Sequence, residues 1–327
     1  MKQELFPEIA DSGLRIDKYL STVNEQLSRS YIQKMLKSGL VLVDGKPVKA
    51  SYQVEEGEVI SLDIPEAVEP EIEPEDMDLD ILYEDMDVIL INKPKGMVVH
   101  PAAGHYSHTL VNGLMYHCKD QLSGINGVMR PGIVHRIDMD TTGVIIACKN
   151  DMAHNSIAAQ LKEHSITRRY QAIVHGVLKD DTGTIDAPIG RHPTDRKKMS
   201  INYNHGKNAV THYKVLKRFR QYTHVECRLE TGRTHQIRVH MKHIGHVLFN
   251  DERYGGHEIL KGTHFSKYKQ FVNNCFDTCP RQALHAMTLG FVHPVTGEEM
   301  YFTSELPDDM TRLIEKWRGY ISNRELE

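Results

Sequence analysis

Residues 132–148 read G-I-V-H-R-I-D-M-D-T-T-G-V-I-I-A-C. Apolar runs enclose a charged loop, so the stretch predicts strand, loop, strand, with Asp138 at a sheet edge two residues after Arg136. A sheet fixes the position of what it carries, which makes a strand-end carboxylate a catalytic candidate. An Asp in a Thr/Gly loop equally caps local amides in a turn. Working outward, residues 87–92 read as a buried strand, and 170–174, 209–216 and 224–229 as further strands. Asp151 is expected to cap a helix running to about His164, with Met152, Ile157, Ala158 and Leu161 inward. Residues 234–243 and 307–320 read as helices. Strands and helices do not alternate regularly, so a doubly wound sheet is disfavoured. The expected fold class is α+β, built on a mixed, mostly antiparallel sheet with flanking helices.

The chain has 327 residues, 40% hydrophobic and 26% charged, enough apolar material for a core. No run approaches the roughly 18 uncharged apolar residues of a membrane span. The N-terminus M-K-Q-E-L-F-P-E-I-A-D has acids where a signal peptide needs an apolar core. Five scattered cysteines predict reduced thiols in a cytoplasmic protein. The net charge of −4 conceals a segregation. Residues 66–87 hold eleven acids and no Lys or Arg, and taking away those eleven negative charges leaves +7 on the other 305 residues. A basic body is compatible with a polyanionic partner. Pro65, Pro70 and Pro74 space the acidic stretch, so an extended linker is expected over 65–78, between a small module (1–64) and a large one (79–327).

In the small module, residues 14–22 predict one helix. A second follows Ser28 as N-cap and stops before Gly39. At about 100° per residue, Tyr31, Ile32, Met35 and Leu36 fall on one arc. Arg29, Lys34 and Lys37 put three cations and no acid on the other. That face is either a solvated surface or a polyanion-binding one. Asp44-Gly45 is a hairpin signal. The run R-I-D-K-Y-L and then S-R-S-Y-I-Q-K-M-L-K-S-G-L-V-L-V-D-G-K-P-V-K resembles an S4 domain over residues 14–62. The resemblance implies an RNA-binding module with Arg29, Lys34 and Lys37 as phosphate contacts, which set affinity and position.

Three further segments accompany residues 132–143. These are N-K-P-K-G-M-V-V-H-P (92–101), I-T-R-R-Y-Q-A-I-V-H-G (166–176) and E-T-G-R-T-H-Q-I-R-V-H-M-K-H-I-G (230–245). Taken singly, Tyr170 reads as a core aromatic of a strand, and Arg233 and Arg238 as a basic helix surface. In this order the segments resemble the RluA/RluD family of pseudouridine synthases, in its RluD-like branch with an S4 module. The family signature H-R-L-D-x-x-T-S-G is met by His135–Gly143 with Ile137 for Leu and Thr142 for Ser. The resemblance implies an isomerase that converts uridine to pseudouridine in structured RNA without cofactor or metal. Asp138 then matches the catalytic aspartate, as nucleophile at C1′ or as base for a ribose proton. Tyr170 packs on a flipped-out base and is a candidate to assist loss of the C5 proton. Arg238 pairs with the aspartate, and Ile237 is a candidate pocket wall. Arg136 either fills the space left by the flipped base or holds the flipped nucleotide, or else forms a structural ion pair. Lys93 and Arg233 are expected RNA contacts.

Large-subunit ribosomal RNA is the first expected substrate and transfer RNA the second, with the enzyme acting as a monomer. Target choice is expected in the segment 250–282, with Tyr254, Lys261, Lys267 and Lys269. His235, His240, His243 and His246 crowd one segment, but neither they nor Cys275 and Cys279 make a zinc pattern. The alternative is a non-catalytic S4-type RNA-binding factor, which the presence of Asp138, Tyr170 and Arg238 together argues against.

Overall fold

The computed structural model describes residues 2–24, 27, 29–64, 72–102, 104–119, 121–125, 127, 130–260, 262 and 265–325. It divides into two compact units, Met1–Glu69 and Pro70–Glu327.

The first unit runs β1 (Lys2–Leu5), α1 (Ile16–Val23), α2 (Arg29–Lys37), β2 (Val41–Val43), β3 (Lys46–Pro47) and β4 (Ile60–Asp63). The strands pair antiparallel in the order β1-β4-β2-β3. Asp44 and Gly45 turn β2 into β3 with φ of 49° and 74°, the left-handed pair that an Asp-Gly hairpin requires. Ile16, Tyr19 and Leu20 of α1 meet Ile32, Met35 and Leu36 of α2 over Val41, Val43, Ile60 and Leu62. Tyr31, expected on this buried stripe, is 37% exposed. The stripe occupies i, i+3 and i+4 from Ile32, and Tyr31 sits at its edge. Ser28, the expected N-cap, lies outside the described residues.

The second unit begins with β5 (Ile81–Glu84), β6 (Val88–Lys93), α3 (Leu110–Cys118), β7 (Thr142–Cys148), α4 (Asp151–Lys162) and β8 (Thr167–His175). It continues with β9 (Thr182–Asp186), β10 (Ile189–Arg191), β11 (Met199–Ile201), β12 (Val210–Arg218), β13 (Tyr222–Leu229) and α5 (Gln236–His243). It ends with α6 (Ser266–Thr278), β14 (Leu284–Val292), β15 (Glu299–Thr303) and α7 (Asp308–Glu325). The main sheet has the order β5-β6-β7-β14-β8-β13-β12-β9, with β15 also on β14 and with β10 and β11 forming a separate hairpin. Its pairings are antiparallel except β7 with β14, so the sheet is mixed and mostly antiparallel and the fold is α+β. Strand alternation sends side chains to opposite faces. Ile89, Ile91, Ile145, Ala147, Ala172 and Val174 face α3 and α5. Val88, Leu90, Val144 and Ile146 face α4, and Ile173 and Tyr222 face α6 and α7, where Trp317 is fully buried.

Two local expectations are corrected. Asn150, not Asp151, caps α4, its Oδ1 accepting from the Ala153 amide at 2.9 Å. Of the residues expected inward, Ile157 is buried and Leu161 packs on the same cluster, whereas Met152 is 56% exposed and Ala153 and His154 are buried instead. Residues 72–78 are not an extended tether. Ile72 is buried in the main core, Asn112 Nδ2 donates to the Glu73 carbonyl at 2.8 Å, and the Glu75 carboxylate accepts from the His108 amide at 2.9 Å. The acids of this half face outward while Ile72 and the backbone dock on α3. Residues 65–71 of the expected linker lie outside the described residues. No helix among the described residues is long and apolar enough to cross a membrane.

Many of the twenty histidines are structural. His175 bonds the Gly256 carbonyl between Tyr222 and Phe249, and His285 bridges Thr142 and the Ser304 carbonyl. Burial pushes His175, His224 and His285 down to about 4 from an ordinary value of 6.5. Such rings stay neutral in the folded protein, while the unfolded chain takes up their protons once the pH drops below about 6.5. Stability is therefore intact above that pH and declines progressively toward about 4. The thermal unfolding midpoint should begin to fall near pH 6.5, before the carboxylates titrate; a constant midpoint from pH 6.5 to 5 would contradict this.

Candidate active site

Asp138 sits in the loop before β7, and its carboxylate, 17% exposed, lines a cavity of about 500 Å³. Tyr170, Arg238, Ile237, Arg136 and Arg233 line the same cavity. Tyr170 is delivered by β8, in register with Cys227 of β13 and Ala286 of β14, and is buried. Burial raises its phenol above the ordinary tyrosine value.

Arg238 Nη1 donates to Asp138 Oδ2 at 2.8 Å. Its Nε and Nη2 donate to the two oxygens of Asp251 at 2.7 and 2.8 Å. Asp251 is fully buried and Arg238 nearly so, and the guanidinium carbon lies 5.0 Å from the centre of the Tyr254 ring. The bidentate grip on Asp251 sets the plane of the fork, which leaves Nη1 aimed at Asp138. Burial alone would raise the Asp138 carboxyl. The charges of His235 and Arg238 and the Arg238 hydrogen bond outweigh burial and hold it below the usual carboxylate value. His235 is itself pushed down to about 4 by burial, so near neutrality its ring is uncharged and Arg238 supplies the counter-charge.

The helix expected from Thr234 starts at Gln236 instead. His235 adopts a left-handed φ of 56°, an uncommon conformation for a side-chain-bearing residue. The turn brings its Nε2 to 3.7 Å from Asp138 Oδ1, while Nδ1 meets the Tyr254 hydroxyl at 2.7 Å. That hydroxyl also accepts from the Met199 amide at 3.0 Å. Tyr254 is 4% exposed and belongs to this site, not to an RNA-reading surface. Lys267 and Lys269 are exposed, and Lys261 lies outside the described residues.

Lys93 is the clearest correction. Expected as an RNA contact, it is fully buried. Its Nζ donates to the carbonyls of Pro94, Met97 and Met139 at 2.8, 2.9 and 2.9 Å. Burial pushes it down to about 7, partly opposed by Asp140 and Asp138. Three acceptors require all three protons of an ammonium, so the bonded form is charged. Arg281 grips the next residue of the loop, Nη1 donating to the Asp140 carbonyl at 2.8 Å, and is itself fixed by Asp309 at 2.8 and 2.9 Å. Gly143 closes the loop: a Cβ there would lie 2.1 Å from the Ala286 carbonyl oxygen of β14.

Arg136 is exposed, and among the described residues no ion pair involves it, so its structural-pair reading loses support. Arg233 donates from Nε to the Asn208 carbonyl at 2.9 Å and is partly exposed on the rim. Arg168 also lines the cavity: its Nη2 donates to the Glu230 carbonyl at 3.0 Å and its buried Nε has no partner among the described residues. In the first unit, Arg29 is committed to Asp17, a fully buried carboxylate that also accepts from Arg15 and Gln33. Burial would raise Asp17, but these donors lower it to about 2. Lys34 and Lys37 are exposed. Among the described residues one grouping, Asp85, Asp87 and His293, has metal-ligand spacing. Asp85 Oδ1 already accepts from two amides and Oδ2 meets His293 Nε2 at 2.8 Å, so it locks a turn.

Asp251, His235, Lys93 and Arg281 were the residues that sequence reasoning missed or misassigned. Asp251 stands three residues before Tyr254, a spacing that signals only a local cap. The Lys93→Met variant, similar in length but without donors, should lose at least about 1–3 kcal/mol in denaturant unfolding, because buried carbonyls are left unpaired. Its RNA affinity should be that of the wild type; a large loss of affinity with unchanged stability would restore Lys93 to the RNA surface.

Residues 87–243 match the RNA pseudouridylate synthase family and residues 14–60 the S4 domain. The chain is 53% identical over 304 residues to "Uncharacterized RNA pseudouridine synthase YlyB" of Bacillus subtilis, covering 93% of this chain and 94% of that one. It is 44% identical over 320 residues to "Ribosomal large subunit pseudouridine synthase D" of Zymomonas mobilis, covering 95% and 96%. A protein of the same name from Pseudomonas aeruginosa is 44% identical over 306 residues, covering 92% and 91%. The fold is shared with the solved structure "Human RNA Pseudouridylate Synthase Domain Containing 4", at a TM-score of 0.53 and 23% identity over 73% of this chain and 92% of that one. The chain belongs to the RNA pseudouridine synthase family, isomerases acting on RNA, and joins an S4 RNA-binding domain to its synthase domain.

Proposed function

We propose that this enzyme converts uridine to pseudouridine in large-subunit ribosomal RNA, with Asp138 as the catalytic carboxylate acting on a flipped-out nucleotide. The observation that carries the assignment of Asp138 is its pairing with Arg238 in a partly closed cavity beside Tyr170. The substrate class rests on the printed names of relatives such as those from Zymomonas mobilis and Pseudomonas aeruginosa. The enzyme is read as a cytoplasmic monomer.

The N1–C1′ bond breaks, the base turns, the C5–C1′ bond forms, the C5 proton leaves to solvent and N1 takes a proton, so product and substrate have the same atoms. Nothing is oxidised and no group donor is consumed. Attack at C1′ and removal of a ribose proton both need an ionised carboxylate. RNA closing over the cavity removes water and favours the acid form, and the adjacent guanidinium opposes this. A stacked uridine is out of reach and must leave the helix at a cost of a few kcal/mol. Tyr170 and Ile237 offer the apolar walls for the extruded base, and Arg136, exposed at the rim, is placed to hold the flipped nucleotide. The buried Tyr170 phenol stays protonated near neutrality, which favours packing over proton abstraction.

Tritium release from C5-labelled uridine, with large-subunit ribosomal RNA and transfer RNA run in parallel, tests the reading. Wild type should release tritium from the ribosomal RNA, and Asp138→Asn should fall to background while binding RNA nearly as well. Release from transfer RNA alone would overturn the substrate assignment, and full activity of Asp138→Asn would overturn the catalytic one. Asp251 is a positioning residue in this scheme. Asp251→Asn should slow turnover about 10²-fold by loosening Arg238. Because the loosened fork no longer aims Nη1 at Asp138, the carboxylate loses that hydrogen bond, and the acid limb of the kcat profile should move to higher pH. An unshifted profile would mean that Asp251 serves stability alone.

A further inference from the structure

A second cavity, of about 280 Å³, is lined by His100, Arg130, Ile133, Val134, His135 and Arg136. His100, Arg130 and Arg136 supply its polar lining together with His135, and no carboxylate lines it among the described residues. Val134, His135 and Arg136 line both cavities, so the two are neighbours.

Three features of this second cavity are unexplained by packing. His100 is 5% exposed, and its Nδ1 has no hydrogen-bond partner among the described residues. A buried polar atom without a partner carries a desolvation penalty that native structures rarely leave uncompensated. The guanidiniums of Arg130 and Arg136 are exposed, and among the described residues neither has an ion pair. Both stand close enough to His100 to help burial hold its ring down to about 4. One buried ring nitrogen without a partner and two cations therefore line the same cavity, with no carboxylate among the described residues. The backbone at Arg130 is tied down: its amide donates to the Gly127 carbonyl at 3.1 Å, its carbonyl accepts from Ile133, and Gly132 pairs with Cys148 of β7.

A compact anion with several acceptor oxygens satisfies all three donors at once. We propose that His100, Arg130 and Arg136 form a subsite for one backbone phosphate of the RNA, next to the nucleotide whose base enters the Asp138 cavity. The proposal rests on the reading that this cavity receives a flipped-out uridine. Arg136 spans the two cavities, so the phosphate it holds flanks the extruded residue. Gripping that phosphate fixes the backbone pivot about which the base turns out.

The test is the salt dependence of binding to large-subunit ribosomal RNA fragments, by filter retention between 50 and 300 mM salt, for wild type, Arg130→Gln and Arg130→Lys. Loss of one phosphate contact should lower the slope of log affinity against log salt by about 0.7 to 0.9. Affinity of Arg130→Gln should drop about tenfold, with partial recovery in Arg130→Lys. His100→Gln combined with Arg130→Gln should lose less than the product of the single losses, because both hold the same phosphate. If His100→Gln fails to fold, as a thermal melt would show, Arg136→Gln takes its place in the cycle. Unchanged slope and affinity in Arg130→Gln, or fully multiplicative losses, would overturn the subsite. Binding is read without turnover, so a wild type that binds but releases no tritium would sink the isomerase reading while the slopes still decide the phosphate.

Discussion

A guanidinium buried between two carboxylates is the interaction on which the active site depends. A lone charge in so dry a position would be strongly destabilising, and removing one member of such a cluster leaves the others uncompensated. Arg238 is held in two ways at once. Asp251, with no exposure at all, takes two of its donors and fixes its plane. Asp138, partly open to the cavity, takes the third. The same chemical group therefore does two jobs, separated by solvent access. The buried carboxylate orients the cation, and the reachable one is kept ionised by it. Tyr254 completes the support by packing its face on the guanidinium and holding His235 through its hydroxyl.

Two carboxylates and one guanidinium leave an excess negative charge. Lys93 supplies a positive one from beneath the loop, and the attraction of Asp140 and Asp138 partly offsets the burial that lowers its pKa. The loop carrying Asp138 is thereby held through its own backbone. Lys93 takes the Met139 carbonyl, Arg281 takes the Asp140 carbonyl, and Gly143 lets β14 approach where any side chain would collide. Loops are ordinarily the mobile parts of a domain. This one is fastened by cations from β6 and from the residues just before β14, the strands on either side of β7.

The S4 unit shows the same use of a buried carboxylate. Asp17 collects Arg15, Arg29 and Gln33 and joins the two helices at their polar edge. Arg29 keeps half its side-chain surface exposed while making this bridge. The cationic face of α2 thus has one residue with a structural share and two exposed lysines that form no ion pair among the described residues, a distinction that the helical pattern alone does not contain.

Periodicity and composition determined the α+β class and the two-part organisation, which follow from local rules: strands alternate, and caps and turns have preferred residues. The grouping of Asp138, Tyr170, Arg238, Ile237, Arg136 and Arg233 was implied by the resemblance of ordered segments such as H-R-I-D and G-R-T-H-Q-I-R to a known family. Tertiary structure alone decided which charged residues are inside. Lys93 and Arg233 look alike in a sequence, yet one is wholly buried under a loop and the other rims a cavity. Asp251 and Asp138 are 113 residues apart and meet only through Arg238. Their pairing is set by the stacking of α5 against a sheet whose strands β7 and β14 are parallel neighbours from distant parts of the chain. A charge states only that it needs a partner; the order in which strands assemble settles which partner comes within reach, and whether water does.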